Sequence, residues 1–194
     1  VLNTKKSVKI AIIGKYVNLK DAYKSLDEAL IHGGISNKVK VNLIRIESDN
    51  LKINEIKEKL KDVSGLLIPG GFGKRGTEGK ISAIKYAREN KIPFLGICFG
   101  MQMAIIEFAR NKLKIKKAGS SEIDKKCYPV VGLINEWDKN GKIIKGTDKD
   151  LGGTMRLGLY EAKLRNNSAI NRIYKSSAIK ERHRHRYEVN NKLK

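Results

Sequence analysis

The stretch Ile92 to Gln102, Ile-Pro-Phe-Leu-Gly-Ile-Cys-Phe-Gly-Met-Gln, leaves a chain few ways to fold. Pro93 to Ile97 is a short apolar run bounded by Pro and Gly, as a fully buried strand is, and Met101 to Ala109 is an apolar helical run. Between them stands Gly96-Ile97-Cys98-Phe99-Gly100. A nucleophile on a sharp strand-to-helix turn needs small residues two positions to either side, because its own backbone is strained and neighbouring side chains would strike the strand or the helix. Gly96 and Gly100 meet that need. The unpaired N–H groups and dipole of the following helix are expected to lower the thiol pKa, leaving Cys98 partly thiolate at neutral pH. The plainer alternative makes Cys98 a small buried hydrophobe and the glycines turn punctuation.

The chain before the elbow alternates strands with helices. Val8 to Gly14 reads as a buried strand, Ala22 to Ile31 as a helix capped by Asp21 and ended by Gly33-Gly34, and Val39 to Ile46 as a second strand. Ile53 to Leu60 is an amphipathic helix, Gly65 to Pro69 a third buried strand, and a helix runs from Gly76 to about Asn90. This order predicts right-handed crossovers and a parallel sheet covered on both faces. After Arg110 the pattern changes. Pro129 to Ile134, Lys142 to Lys145, Thr154 to Leu157 and Leu159 to Leu164 read as short antiparallel strands, with Asn140-Gly141 as a hairpin turn. The fold class is therefore α/β, a parallel-centred sheet with an added antiparallel layer.

At 194 residues, with no low-complexity stretch dividing it, the chain reads as one domain. Its formal charge is +21, from 41 Lys and Arg against 20 Asp and Glu. The excess is mostly Lys and spread along the whole chain, with no groove-reading motif or aromatic platform beside it, so the charge argues weakly for nucleic acid and more for anionic small molecules. Two cysteines, Cys98 and Cys127, make no disulfide framework. Neither a signal peptide nor an apolar run long enough to span a membrane is read in these residues, and the expected compartment is reducing and cytoplasmic.

In an open parallel sheet, ligands bind beyond the carboxyl ends of the strands. Two glycine-bearing loops emerge there, the elbow and Gly70-Gly71-Phe72-Gly73-Lys74-Arg75-Gly76. The second contains Gly71-x-Gly73-x-x-Gly76, formally a dinucleotide fingerprint, but its Pro-Gly-Gly entry is atypical and the next strand ends in Cys98 where a ribose-binding acid should stand. An oxyanion hole is the better reading: Gly71 N–H and the N–H of Phe99 could face the O⁻ that forms when a thiolate attacks a carbonyl. Such a thiolate needs an oriented base. Of the three histidines, His32 ends the first predicted helix, while His183 and His185 alternate along one face of a strand in Glu181 to Glu188. None stands in an apolar strand two residues before an acid, and the His-x-His pair lacks a third metal ligand, so neither a finished triad nor a zinc site is read.

Taken together, Pro69 to Gly76, Gly96 to Gln102, Asp150-Leu151-Gly152-Gly153-Thr154-Met155-Arg156-Leu157-Gly158 and Glu181 to Asn190 resemble the glutamine amidotransferase domain of the CTP synthases. So does Gly14-Lys15-Tyr16-Val17-x-Leu19-x-Asp21-Ala22-Tyr23-x-Ser25, and the similarity runs from Lys9 to Asn191. The elbow alone is common to class I amidotransferases; the other strings are more specific. The resemblance implies a flavodoxin-like class I amidotransferase fold and hydrolysis of L-glutamine to glutamate and ammonia through a thioester on Cys98. It implies that Gly71, Phe99, Gly100, Met101 and Gln102 line the glutamine site, that Glu122 takes the α-ammonium and Arg186 the α-carboxylate region, and that Arg75 lies in a lid linked to the activator GTP. No metal or cofactor is implied in this domain. ATP, Mg²⁺ and UTP belong to a synthase domain on the same polypeptide or in trans, and a homotetramer forms through that domain. The turn Gly14 to Ser25, with Lys15, Tyr16 and Tyr23, is expected to face it.

Two departures shape the expectation for activity. The synthase domain is absent from the sequence, and the family's catalytic His and Glu stand in a Phe-His-Pro-Glu motif placed beyond Lys194. The chain as given is therefore expected to lack base and orienting acid, with turnover near background and glutamine still bound weakly. The alternatives are a catalytically silent glutamine-binding or interaction module and a related cysteine hydrolase of the same fold.

Overall fold

The computed structural model describes residues 4–17, 19, 21–133, 136–139, 142–145 and 155–190, the two short segments at 136–139 and 142–145 by backbone alone. They form two compact units, residues 1–131 with 189–194, and residues 132–188.

The first unit is built on a four-stranded parallel sheet, β1 (Ser7–Gly14), β2 (Lys40–Glu47), β3 (Gly65–Ile68) and β4 (Phe94–Gly96), in the order β2-β1-β3-β4. Its interior strands carry apolar runs, Ile10 to Gly14 of β1 and all of β3, as strand segments covered on both faces do. Ala11, Ile12 and Ile13 are fully buried on β1, and every residue of β3 is buried. The helices α1 (Lys24–Ser36), α2 (Ile53–Leu60), α3 (Thr77–Glu89) and α4 (Phe99–Asn111) alternate with these strands as predicted. α2 has its predicted bounds, buries Ile56 and Leu60, and is closed at its start by Lys52 N–H donating to Glu55 Oε2 at 2.9 Å. α3 and α4 are joined by Arg88, whose Nε and Nη2 both donate to Glu107, a carboxylate only 1% exposed. The carboxylate leaves water while the guanidinium stays about a third exposed, so the pair serves mainly to satisfy a buried Glu107 and fix the register of the two helices.

Three local readings are corrected. The helix predicted to stop at Ile31 continues through Gly33-Gly34 to Ser36, where Asn37 Nδ2 donates to Gly33 O at 2.8 Å. Gly34 is there for contact: a Cβ on it would stand 2.6 Å from Val41 Cγ2 and 2.8 Å from Val39 O. Asp21 does not cap that helix; Tyr23 occupies the cap position. The strand predicted over Pro129 to Ile134 is β6 (Tyr128–Leu133), and it pairs in parallel with the short β5 (Ala118–Ser120), an element whose Ala-Gly-Ser composition carries no strand signal.

The second unit contains β7 (Glu136–Lys139) and β8 (Lys142–Lys145), antiparallel with Lys139 opposite Lys142; Asn140 and Gly141, the predicted turn, lie outside the described residues, as do 150–154. The two strands predicted on either side of Gly158 are one, β9 (Arg156–Lys163), which passes through Gly158 at φ 101°. It pairs antiparallel with β10 (Ala178–His185) after the short helix α5 (Ala169–Tyr174), capped by Ser168 Oγ accepting from Asn171 N–H. β11 (Tyr187–Val189) follows. Among the described residues no helix is long and apolar enough to cross a membrane.

Candidate active site

Cys98 joins β4 to α4 at φ 50° and ψ −104°, a conformation a side-chain-bearing residue holds only when its surroundings impose it. The surroundings are visible. Ile97 N–H donates to Ile68 O at 3.0 Å, Gly100 N–H to Ile97 O at 2.9 Å, and Gln102 N–H to Cys98 O at 3.1 Å. A Cβ on Gly96 would stand 2.5 Å from Gly100 C, and one on Gly100 would stand 2.1 Å from Ile68 O. Both glycines predicted to flank the nucleophile are thus sterically required, and the elbow reading holds against the buried-hydrophobe alternative: Cys98 is exposed.

The thiol itself departs from expectation. Burial of its surroundings pushes the Cys98 pKa up; the Phe99 N–H bonded to the sulfur pulls it down, and the Glu122 carboxylate pushes it up again. The predicted partial thiolate is therefore not supported by the described residues. The helix N-terminus acts through that one N–H, while the charge that reaches the sulfur is negative.

Opposite the elbow lies the loop Gly70 to Gly76. Added Cβ atoms on Gly70 and Gly71 would stand 3.8 Å from Cys98 Cβ and 3.9 Å from Phe99 Cδ1, so this backbone borders the nucleophile. The loop is held from two sides. The Lys15 ammonium donates to Phe72 O and, at 3.4 Å, to Gly73 O, and Glu122 Oε1 accepts Gly73 N–H at 2.8 Å. Gly73 takes φ 74°, in the left-handed region that favours glycine. Gly76 begins α3 at φ 70°, and a Cβ on it would lie 2.2 Å from Ser48 Oγ and 2.7 Å from Asp49 Oδ1. A carboxylate beside the start of α3 stands where a dinucleotide's pyrophosphate would bind, which removes the fingerprint reading.

The remaining predicted residues divide sharply. Phe99 and Gly100 are buried and Gln102 is only 4% exposed, so the side chain of Phe99 belongs to the core and its backbone alone serves the elbow; Met101, at 43%, is the exposed member of that segment. Arg75 is ion-paired with Asp49 at 2.5 Å, its guanidinium 5.6 Å from the Tyr16 ring centre. In the turn expected to face the synthase domain, Lys15 reaches the glycine loop and Tyr23 packs onto Gly14, where an added Cβ would stand 2.4 Å from its hydroxyl. Arg186 lies in the second unit, between β10 and β11. There His183 and His185 share one strand face as predicted, and three of their four ring nitrogens are engaged. His185 Nδ1 lies 3.1 Å from Tyr187 O and so donates, which leaves its Nε2 to accept from His183 Nδ1 at 2.9 Å.

One residue escaped the sequence reading. Lys80 is 3% exposed; its ammonium donates to Ser48 Oγ at 3.0 Å and lies 5.8 Å from the Phe99 ring centre, with Lys15 at 5.9 Å. Its position among apolar helix residues carries a faint signal, but a lysine in a helix normally reads as solvent-facing. Burial, with the nearby positive charge of Lys15 second, lowers its pKa to about 8. Between about pH 8 and the ordinary lysine value of 10.5 the unfolded chain therefore holds the extra proton, so stability from this group rises with pH across that window. Lys80→Met is expected to raise stability at pH 7 by about 3 kcal/mol and to flatten that rise. Urea denaturation at pH 7 and at pH 10 would measure both, and a variant no more stable at pH 7 would contradict it.

The residues between 18 and 194 match the family glutamine amidotransferase class-I. The chain is 77% identical over 190 residues to the CTP synthase of Pelagibacter ubique, covering 98% of this chain and 35% of that protein. It is 58% identical over 189 residues to the CTP synthase of Brucella melitensis, again covering 35% of the relative. It thus spans about a third of the length of these relatives. Among solved structures, the glutaminase domain of Trypanosoma brucei CTPS with bound acivicin superposes with a TM-score of 0.80 at 35% identity, over 95% of this chain and 69% of that one.

Proposed function

We propose, from the premise that the chain belongs to the class-I glutamine amidotransferase family, that it hydrolyses L-glutamine and supplies the ammonia for ATP-dependent amination of UTP to CTP. The observation that carries this reading is the strained, exposed Cys98 set between the Gly70-Gly71 backbone and the N–H of Phe99. The Cys98 sulfur, as thiolate, adds to the carboxamide carbon of glutamine. The oxyanion is met by Phe99 N–H and Gly71 N–H, the C–N bond breaks as the amine takes a proton, and ammonia leaves. Water then cleaves the thioester to glutamate and free thiol. Glu122 takes the substrate's α-ammonium by exchanging its present bond to Gly73 N–H. The base is assigned to the histidine of the family's Phe-His-Pro-Glu motif.

The amination belongs to a synthase domain outside residues 1–194, where ATP and Mg²⁺ act and through which a homotetramer forms; the site of action is cytoplasmic. GTP would engage Arg75 by displacing Asp49 from its guanidinium. The second reading is a glutamine-binding module without turnover, in line with a Cys98 thiol whose pKa burial raises against the opposing Phe99 N–H.

Acivicin, the compound bound in the Trypanosoma glutaminase domain, separates the two. Incubated with the natural polypeptide and located by peptide mass spectrometry, it is expected to modify Cys98 and to be blocked by L-glutamine. Because burial raises the thiol's pKa, with the Glu122 carboxylate adding to it, labelling should accelerate as pH rises from about 7 to 9. Labelling absent at every pH, with glutamine still bound, would leave only the module; labelling that glutamine does not block would remove both.

A further inference from the structure

A cavity of about 370 Å³ in the first unit lies away from Cys98. It lies against the later turns of α4: Ile106 and Arg110 follow Cys98 by roughly 12 and 18 Å along the helix axis. Its floor is apolar, from Ile81, Ile106 and Ile123. Its rim is cationic, from Arg110, Lys116, Lys117 and Lys126, against the carboxylates Glu78 and Asp124. Both carboxylates are already engaged. Arg110 Nη1 donates to the two Glu78 oxygens at 3.0 Å each, and Asp124 Oδ1 accepts Lys126 N–H at 2.8 Å. Arg110 is further fixed by Nε donating to Ala118 O at 2.7 Å, so its charge is held at the cavity wall.

We propose that this cavity is a second ligand site, for an organic phosphate monoester with a compact apolar or aromatic body. The volume falls within the range of small-molecule pockets, and four cations against two acids leave an excess matched by the charge of about −2 on a phosphate monoester at neutral pH. An inorganic anion would leave the three isoleucines uncovered, and a neutral apolar molecule would leave the lysines without a counter-charge. The site is independent of the glutaminase reading.

The chain's two cysteines report on the two sites separately, since Cys127 lines this cavity and Cys98 the elbow. The experiment alkylates the natural polypeptide with iodoacetamide at alkaline pH, reading each cysteine by peptide mass spectrometry, with phenyl phosphate as probe. At about 10 mM probe and a Kd of about 1 mM, modification of Cys127 is expected to slow about tenfold while Cys98 is unchanged. The protection should be lost in Lys117→Glu/Lys126→Glu, a pair of exposed positions, and in Ile123→Trp, which fills the floor without altering charge. Titration calorimetry with phenyl phosphate gives the same comparison without thiol chemistry. No slowing of Cys127 and no heat of binding would overturn the proposal, as would equal protection by sodium sulfate, which marks charge screening alone.

Discussion

Cys98→Ser is expected to lower glutamine hydrolysis by about four orders of magnitude or more, measured as ammonia released by the natural polypeptide, with the fold unchanged. The substitution exchanges one atom for a smaller one, so the elbow's contacts survive: the close fit is made by Gly96 and Gly100 against backbone, not by sulfur. What disappears is nucleophilicity. A hydroxyl at this position is far less acidic than a thiol, and even the thiol is pushed upward by burial and by Glu122. Retention of more than about 1% of the activity would mean that catalysis does not pass through this residue, because removing a covalent nucleophile in comparable enzymes costs far more.

Gly100→Ala is expected to destabilise the first unit by about 3 kcal/mol or more, a large fraction of the stability of a typical domain. Its Cβ would stand 2.1 Å from Ile68 O and 2.8 Å from Ile68 C, both backbone atoms of the central strand β3, and neither can swing aside as a side chain would. Relief requires α4 to move off the sheet, opening the contacts of Met103 and Ile106, which are almost fully buried. The same movement displaces Cys98, since the Gly100 N–H to Ile97 O bond closes the turn on which it sits. Gly33→Ala makes the contrast: that glycine lies inside α1 with nothing within 4 Å of an added Cβ, so the change should stabilise by about 0.5 to 1 kcal/mol. Urea midpoints for the two variants would decide the matter, and a Gly100→Ala midpoint equal to wild type would show that the close approach of helix and strand is not needed.

The sequence by itself determined the order of strands and helices between Val8 and Asn111 and the position of the nucleophile, because both rest on local physics. Apolar runs of strand length and helical periodicity between Val8 and Asn111 are short-range signals, and the demand for Gly96 and Gly100 follows from the bond geometry of a sharp turn. Tertiary structure decided what depends on neighbours distant along the chain. Gly33-Gly34 resembles a stop signal, yet Gly34 serves the approach to Val39 and Val41, so the helix runs on. Lys15 and Lys80 have the composition of surface, yet one grips the glycine loop and the other is buried against Ser48 and Phe99. Glu122, 49 residues from Gly73, closes on its N–H, and β6 pairs in parallel with a strand too short to carry a pattern. The thiol's protonation belongs to the same class: helix position is legible in the sequence, but the desolvation and the carboxylate that oppose it arise only when separate segments pack together.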